Sequence, residues 1–183
     1  MLILASASPR RHELLLAAGL PHIVRPSHIP EDRRENEGPT DFVRRISEEK
    51  ARAITSDSAD IVLAADTVVC LDEQIFGKPS DEADALRMLR ALAGRSHLVH
   101  TGICLLRGSH CIVDLSSTEV FFSQLTHDEL WEYTRSGEPA DKAGAYAIQG
   151  LASRFVVSIK GSYGNVVGLP VSLVYRHLKA FSL

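Results

Sequence analysis

A chain of 183 residues with 45% hydrophobic and 23% charged side chains carries enough apolar matter for a continuous core, so nothing in it demands disorder. A formal net charge of −3 and a pI near 6.2 exclude the dominant basic face that nucleic-acid binding requires, so no nucleic-acid partner is expected. Three cysteines without a CxxC pair argue against a disulfide framework and a zinc knuckle, and no run approaches the ~18 apolar residues of a membrane span, so a cytoplasmic protein with no membrane partner is expected.

The start lacks a charged n-region with a cleavage site, so secretion is not expected either. Met1 to Ala5 reads as a strand. Ser8 and Pro9 then supply an N-cap and a first helical position, and the helix runs to Ala18 with an apolar face beginning at Leu14. His22 to Val24 is a short strand leading into the polar surface loop PSHIPEDRRENEGPT. Thr40 is expected to cap a helix reaching about Thr55. DIVLAADTVVCL is a long strand buried on both faces, and Asp81 to Ala93 is a helix whose apolar positions are Leu86, Leu89, Leu92 and Ala93. HLVHTGICLLR and CIVDLSSTEVFFS alternate across GSH as an antiparallel hairpin, the candidate for a second lobe. Leu125 to Tyr133 is helical, SGEPADKAGAYAIQG is a glycine-rich loop, RFVVSIK is a strand, and Pro170 to Phe181 is a closing helix. The order predicts a mixed α/β fold in one domain over 1–183.

Several charged residues stand in costly places. Arg10 and Arg11 fall in the first helical turn, where the helix dipole disfavours cations by roughly 0.3–1 kcal/mol each. Asp66 interrupts a buried apolar strand, and a bare carboxylate there needs a partner, a hydrogen bond or a metal; capping a turn is the competing reading. Lys50 falls within the stripe Phe42, Val43, Ile46, Ala53 and Ile54, so its ammonium points towards the core unless the stem snorkels to water. Of five lysines, Lys50, Lys78 in FGKPSD and Lys142 in ADKAGAY lie in apolar or Gly/Pro-containing surroundings. Together these residues describe a cationic pocket with an embedded carboxylate, suited to a polyphosphate with a divalent metal. A phosphate bound between the two arginines and the helix N-terminus would explain their placement.

The motifs SASPRRHELL, EKARA, AADTVV, FGKPSD, HLVHTG, GEPADKAGAYAIQG and GSYGNVVGLP, in this order over essentially the whole chain, resemble the Maf family of nucleoside triphosphate pyrophosphatases. The resemblance implies a mixed-sheet Maf/Ham1-like fold, also described as inosine triphosphate pyrophosphatase-like, with two lobes around a cleft. It implies hydrolysis of a nucleoside triphosphate to the monophosphate and pyrophosphate, with Mg2+ or Mn2+ as cofactor. DKAGAYAIQG is similar to the branch acting on dTTP and UTP, a role in cleaning nucleotide pools that takes in modified pyrimidine nucleotides. Carried over by motif, Asp66 is the catalytic acidic residue, which either takes the proton from water or holds the metal together with Glu31, with Asp32 an alternative to Glu31. Arg10, Thr67 and Gln149 resemble positions that choose the nucleotide, and Ser6, Arg11, Lys50 and Lys78 match the remaining polar positions. A homodimer is an assembly this reading allows. Gln149 could pair with the N3–H and O4 edge of uracil or thymine if its amide is locked by neighbours between Gly144 and Gly150.

Other readings are weaker. No G-x-S-x-G supports a serine hydrolase, and His97 and His100, three apart in a strand, face opposite sides and cannot share a zinc ion. The sister branch acting on 7-methyl-GTP, and a nucleotide-sensing regulator of septum formation without catalysis, are the two alternatives. Only an enzyme needs Asp66.

Overall fold

The computed structural model describes residues 1–181, so the last two residues of the domain expected over 1–183 lie outside the described residues. The elements are β1 (Leu2–Leu4), α1 (Pro9–Ala17), β2 (Ile23–Val24), α2 (Pro39–Arg52), β3 (Ile61–Leu71), β4 (Gln74–Phe76) and α3 (Glu82–Leu92). They continue with β5 (Ser96–Arg107), β6 (His110–Phe122), α4 (His127–Arg135), β7 (Val156–Lys160), α5 (Tyr163–Val167) and α6 (Val171–Ala180). The strands form a seven-stranded sheet in the order β2-β1-β3-β5-β6-β7, with β4 paired to β3. β1 runs parallel to β2 and β3, whereas β4 and β7 are antiparallel to their neighbours, so the sheet is mixed as expected. Among the described residues no helix is long and apolar enough to cross a membrane.

The chain divides into two compact units. The first comprises Met1–Thr67, Thr101–Ser116 and the chain from Gly168; the second comprises Val68–His100 and Ser117–Val167. The turn end of the β5–β6 hairpin therefore belongs to the first unit, not to a second lobe. The reason is its alternation: Ile103, Leu105 and Ile112 join Leu2, Leu63 and Leu178 in one cluster, while Cys104 joins Ile3, Val62 and Ala51 in another. Both faces of these strands are covered, which is why DIVLAADTVV reads as a nearly continuous apolar run. The second unit packs Leu86, Leu89 and Leu92 of α3 with Tyr133 of α4 and with Phe76, Phe122 and Phe155.

Four local details differ from the expectations. The N-cap of α2 is Gly38, with Pro39 at the first position and Thr40 inside the turn, because the fixed φ and missing N–H of proline suit that position better than a capping hydroxyl does. β4 forms because Asp72 adopts a φ of 54°, closing a tight turn between Leu71 and Gln74. α4 starts at His127, since Thr126 and Glu129 form a capping box. α5 was not anticipated.

Candidate active site

The first unit assembles its polar residues just beyond the end of β1 and at the middle of β3. After β1 the chain turns at Ser6, whose hydroxyl accepts from the Ser8 amide at 3.2 Å and from Arg11 Nη1 at 3.0 Å. Ser8 is the N-cap of α1 but makes no side-chain capping bond, so its role is backbone geometry ahead of Pro9. Arg11, on the inner face of α1, is buried. Its Nε donates to the Gly168 carbonyl at 2.8 Å and its Nη2 donates to Thr67 Oγ1 at 3.1 Å. Burial lowers the Arg11 guanidinium from its usual range, while the Asp66 and Glu31 carboxylates raise it and Arg10 lowers it further. Arg11 is thus tolerated at a helix start because protein oxygens already satisfy much of it. Arg10 is different: it is half-buried, and its Nε is buried without a hydrogen-bond partner among the described residues. Such an orphan costs roughly 1–3 kcal/mol and is what an anion at this helix terminus would relieve.

Period-two alternation sends Asp66 and Thr67, adjacent on β3, to opposite faces of the sheet. Thr67 turns towards Arg11 and also meets Thr101 of β5, Oγ1 to Oγ1, at 2.9 Å. Asp66, only 6% exposed, turns towards α2, where Lys50 Nζ lies 2.7 Å from Asp66 Oδ1 and 2.8 Å from Glu31 Oε1. Lys50 is also 6% exposed, so its ammonium does not snorkel to water. Burial raises the Asp66 carboxyl above its ordinary range, Lys50 and Arg11 pull it back, and Glu31 adds to the rise. The approach of α2 is made by Gly102 of β5: a Cβ there would sit 2.3 Å from the Val43 carbonyl oxygen. The loop bearing Glu31 is tied to the same helix by Arg45, whose Nη2 reaches Glu37 Oε2 at 2.7 Å and the Asp32 carbonyl at 3.0 Å. That pairing holds the Glu37 carboxyl down to about 2.

Of the expected site residues in the first unit, direct bonds join Ser6, Arg11 and Thr67 in one group and Lys50, Asp66 and Glu31 in another, with Arg10 on the same helix terminus as Arg11. Glu31 and Asp66 converge on one cation, the Lys50 ammonium. Lys78 and Gln149 belong to the second unit and both are exposed. The Gly77 carbonyl beside Lys78 accepts from the Gly144 amide at 3.0 Å, and Lys142 pairs with Asp141. The lock expected on Gln149 is not seen: among the described residues no hydrogen bond holds its amide. The loop spends its internal bonds on Glu138, which accepts from the Tyr133 hydroxyl and the Leu151 amide. His97 Nε2 meets Tyr146 Oη and His100 Nδ1 meets Ser117 Oγ, each at 2.8 Å, and burial lowers His97 to about 4. Thr101, Gly102 and Gly168 escaped the residue-level reading, although HLVHTG and VVGLP had drawn notice; their importance lies in partners remote in sequence. Gly168, at φ 125°, adopts a backbone conformation other residues avoid.

A family model described as Maf-like protein matches residues 1–181. The chain is 47% identical over 179 residues to a protein of Koribacter versatilis (strain Ellin345) named dTTP/UTP pyrophosphatase, covering 97% of this chain and 93% of that one. It is 44% identical over 183 residues to one of Bacillus cereus (strain AH820) with the same name, covering 100% and 96%. Among solved structures, the Staphylococcus aureus Ham1 protein superposes with a TM-score of 0.52 at 15% identity, over 98% of each chain, a likeness of fold alone.

Proposed function

The chain belongs to the Maf family, and from that premise we propose that it is a nucleoside triphosphate pyrophosphatase hydrolysing dTTP and UTP to the nucleoside monophosphate and pyrophosphate. One domain over 1–183 carries the activity, and its role is the cleaning of nucleotide pools, modified pyrimidine nucleotides included. The observation that carries the reading is the buried Lys50–Asp66 pair, joined at its solvent side by Glu31, with Arg11 in its electrostatic reach. A structural core has little use for two cations and a carboxylate at that depth beside a second, exposed carboxylate; a polyphosphate site needs both signs.

The donor set fits Mg2+ or Mn2+. Glu31 and Asp66 offer oxygen only and are already drawn to one shared cation, and such an ion takes one or two carboxylates together with substrate phosphates and water. When bound, it supplies charge neutralisation to phosphate oxygens and acidifies water. The protein's own residues do the rest. Lys50 holds both carboxylates in place, Arg10 turns its unpartnered Nε–H to a phosphate oxygen, and Arg11 fixes the Thr67 hydroxyl at the rim. Water attacks the α-phosphorus and the bond to pyrophosphate breaks, the cationic side chains offsetting charge on the leaving oxygen. Lys78 and Gln149 enter as substrate contacts on the motif resemblance alone. A cytoplasmic setting and a homodimer belong to the same proposal.

The experiment is incubation of purified protein with Mg2+ and a panel of nucleoside triphosphates, with pyrophosphate assayed. We expect dTTP and UTP to lead. A preference for 7-methyl-GTP overturns the branch, and binding without pyrophosphate release from any nucleotide overturns catalysis in favour of sensing.

A further inference from the structure

The three cysteines look unrelated in the sequence, yet the hairpin sets two of them against each other. Cys104 on β5 and Cys111 on β6 lie on the same face, with Sγ atoms 3.6 Å apart, at van der Waals contact and unbridged. Cys104 is fully buried in the layer between the sheet and α2, beside Ala51 and Ile54, whereas Cys111 is only partly covered. The charged groups facing them come from α2: Arg52 interacts electrostatically with both sulfurs, and Glu48 with Cys104. Cys70 is buried and belongs to the second unit, whereas both hairpin cysteines belong to the first.

We propose that Cys104 and Cys111 form an oxidation site that closes into an intrachain disulfide on exposure to a hydroperoxide. The assignment of attacking and resolving sulfur follows from exposure. Cys111, reachable from solvent, loses its proton and its thiolate attacks the peroxide; an S–O bond forms, the O–O bond breaks, and one water or alcohol leaves. Cys104 then attacks the Cys111 sulfur, the S–O bond breaks, and the departing hydroxide takes the Cys104 proton as water. Two thiols are oxidised by two electrons and one peroxide is reduced. Burial raises the Cys104 thiol above its usual range, so it is not the sulfur that reacts first with peroxide; it enters at the second step because it lies in contact with the Cys111 sulfur. Only two residues of turn separate the strands, so closing the bond asks for sulfur rotation and a small local approach.

The test treats the whole protein with hydrogen peroxide, quenches with catalase, and counts thiols after denaturation. The expected result is a fall from three titratable thiols to one, a mass loss of two hydrogens, and a tryptic cross-link joining the peptide 96–107 to the peptide 108–135. Dithiothreitol reverses all three changes. Cys70→Ser retains the mass loss, and Cys104→Ser and Cys111→Ser each abolish it. Oxygen addition at Cys111 without the cross-link, a bridge that involves Cys70, or disulfides only between chains each overturns the proposal. So does retention of all three thiols at a peroxide level that bridges a dithiol control.

Discussion

Replacing Lys50 by Met keeps the packed stem and removes the ammonium that Asp66 and Glu31 share. A unit-charge pair about 3 Å apart at an effective dielectric of ~20 attracts by roughly 5–6 kcal/mol before desolvation, most of which the buried ions spend in leaving water. What the substitution exposes is the uncompensated Asp66 carboxylate, 6% exposed, and stranding one member of a buried pair costs about 3–5 kcal/mol. The Glu31 side chain is 52% exposed, so its lost contact adds no more than about 1 kcal/mol. The expected loss in urea denaturation at pH 7 is therefore about 3–5 kcal/mol, nearly all of it through Asp66. The sign with pH follows. Burial raises the Asp66 carboxyl in the fold, and without Lys50 that rise grows, so the folded variant binds a proton more readily than its unfolded chain does. Its stability is retained at acid pH and lost as pH climbs through the raised value, so the deficit against the parent narrows from pH 7 to pH 5. Lys50→Met combined with Asp66→Asn should be less destabilised than the sum of the single variants by at least about 1 kcal/mol. A deficit under about 1 kcal/mol at pH 7, an equal deficit at pH 5, or strict additivity would refute this reasoning.

Asp66→Asn is isosteric but uncharged, and it should nearly abolish turnover of dTTP and UTP while circular dichroism stays native; near-parental kcat would remove Asp66 from the reaction. Glu37→Gln should cost about 1 kcal/mol at pH 7, since it breaks the bidentate contact with Arg45. Because the folded Glu37 carboxyl is held down to about 2, its contribution is present above its ordinary value of 4.5 and lost as pH falls towards 2, so the urea midpoints of variant and parent should converge over that window. Gly102→Ala puts a Cβ 2.3 Å from the Val43 carbonyl, a backbone atom that cannot swing aside, so α2 must shift. We expect a loss of about 1–3 kcal/mol in stability and a fall in kcat/KM, because the same helix carries Lys50; an unchanged melting temperature would show that α2 is not packed as described.

Periodicity alone determined a good deal. The order of strands and helices apart from β4 and α5, the covered faces of DIVLAADTVV, and the standing of Asp66 and Lys50 as charges in apolar settings were legible, because 2.0- and 3.6-residue repeats report burial from local spacing. The motif order determined the family. What spacing cannot carry is the identity of a partner. Local spacing puts the cap of α2 at Thr40, whereas the backbone makes Gly38 the cap and Pro39 the first helical position. Arg11 finds the Gly168 carbonyl 157 positions away, and Thr67 finds Thr101 across 34. Cys104 and Cys111, only seven apart, meet because the turn at Gly108 and Ser109 lays β6 back beside β5 on the same face. In the loop around Gln149 the acceptor is likewise remote, since the Glu138 carboxylate reaches the Leu151 amide thirteen residues on. A residue's tendency to be buried is set by its neighbours in sequence. Which atoms it meets once buried is set by strand order and helix approach, and these are fixed only when the whole sheet has formed.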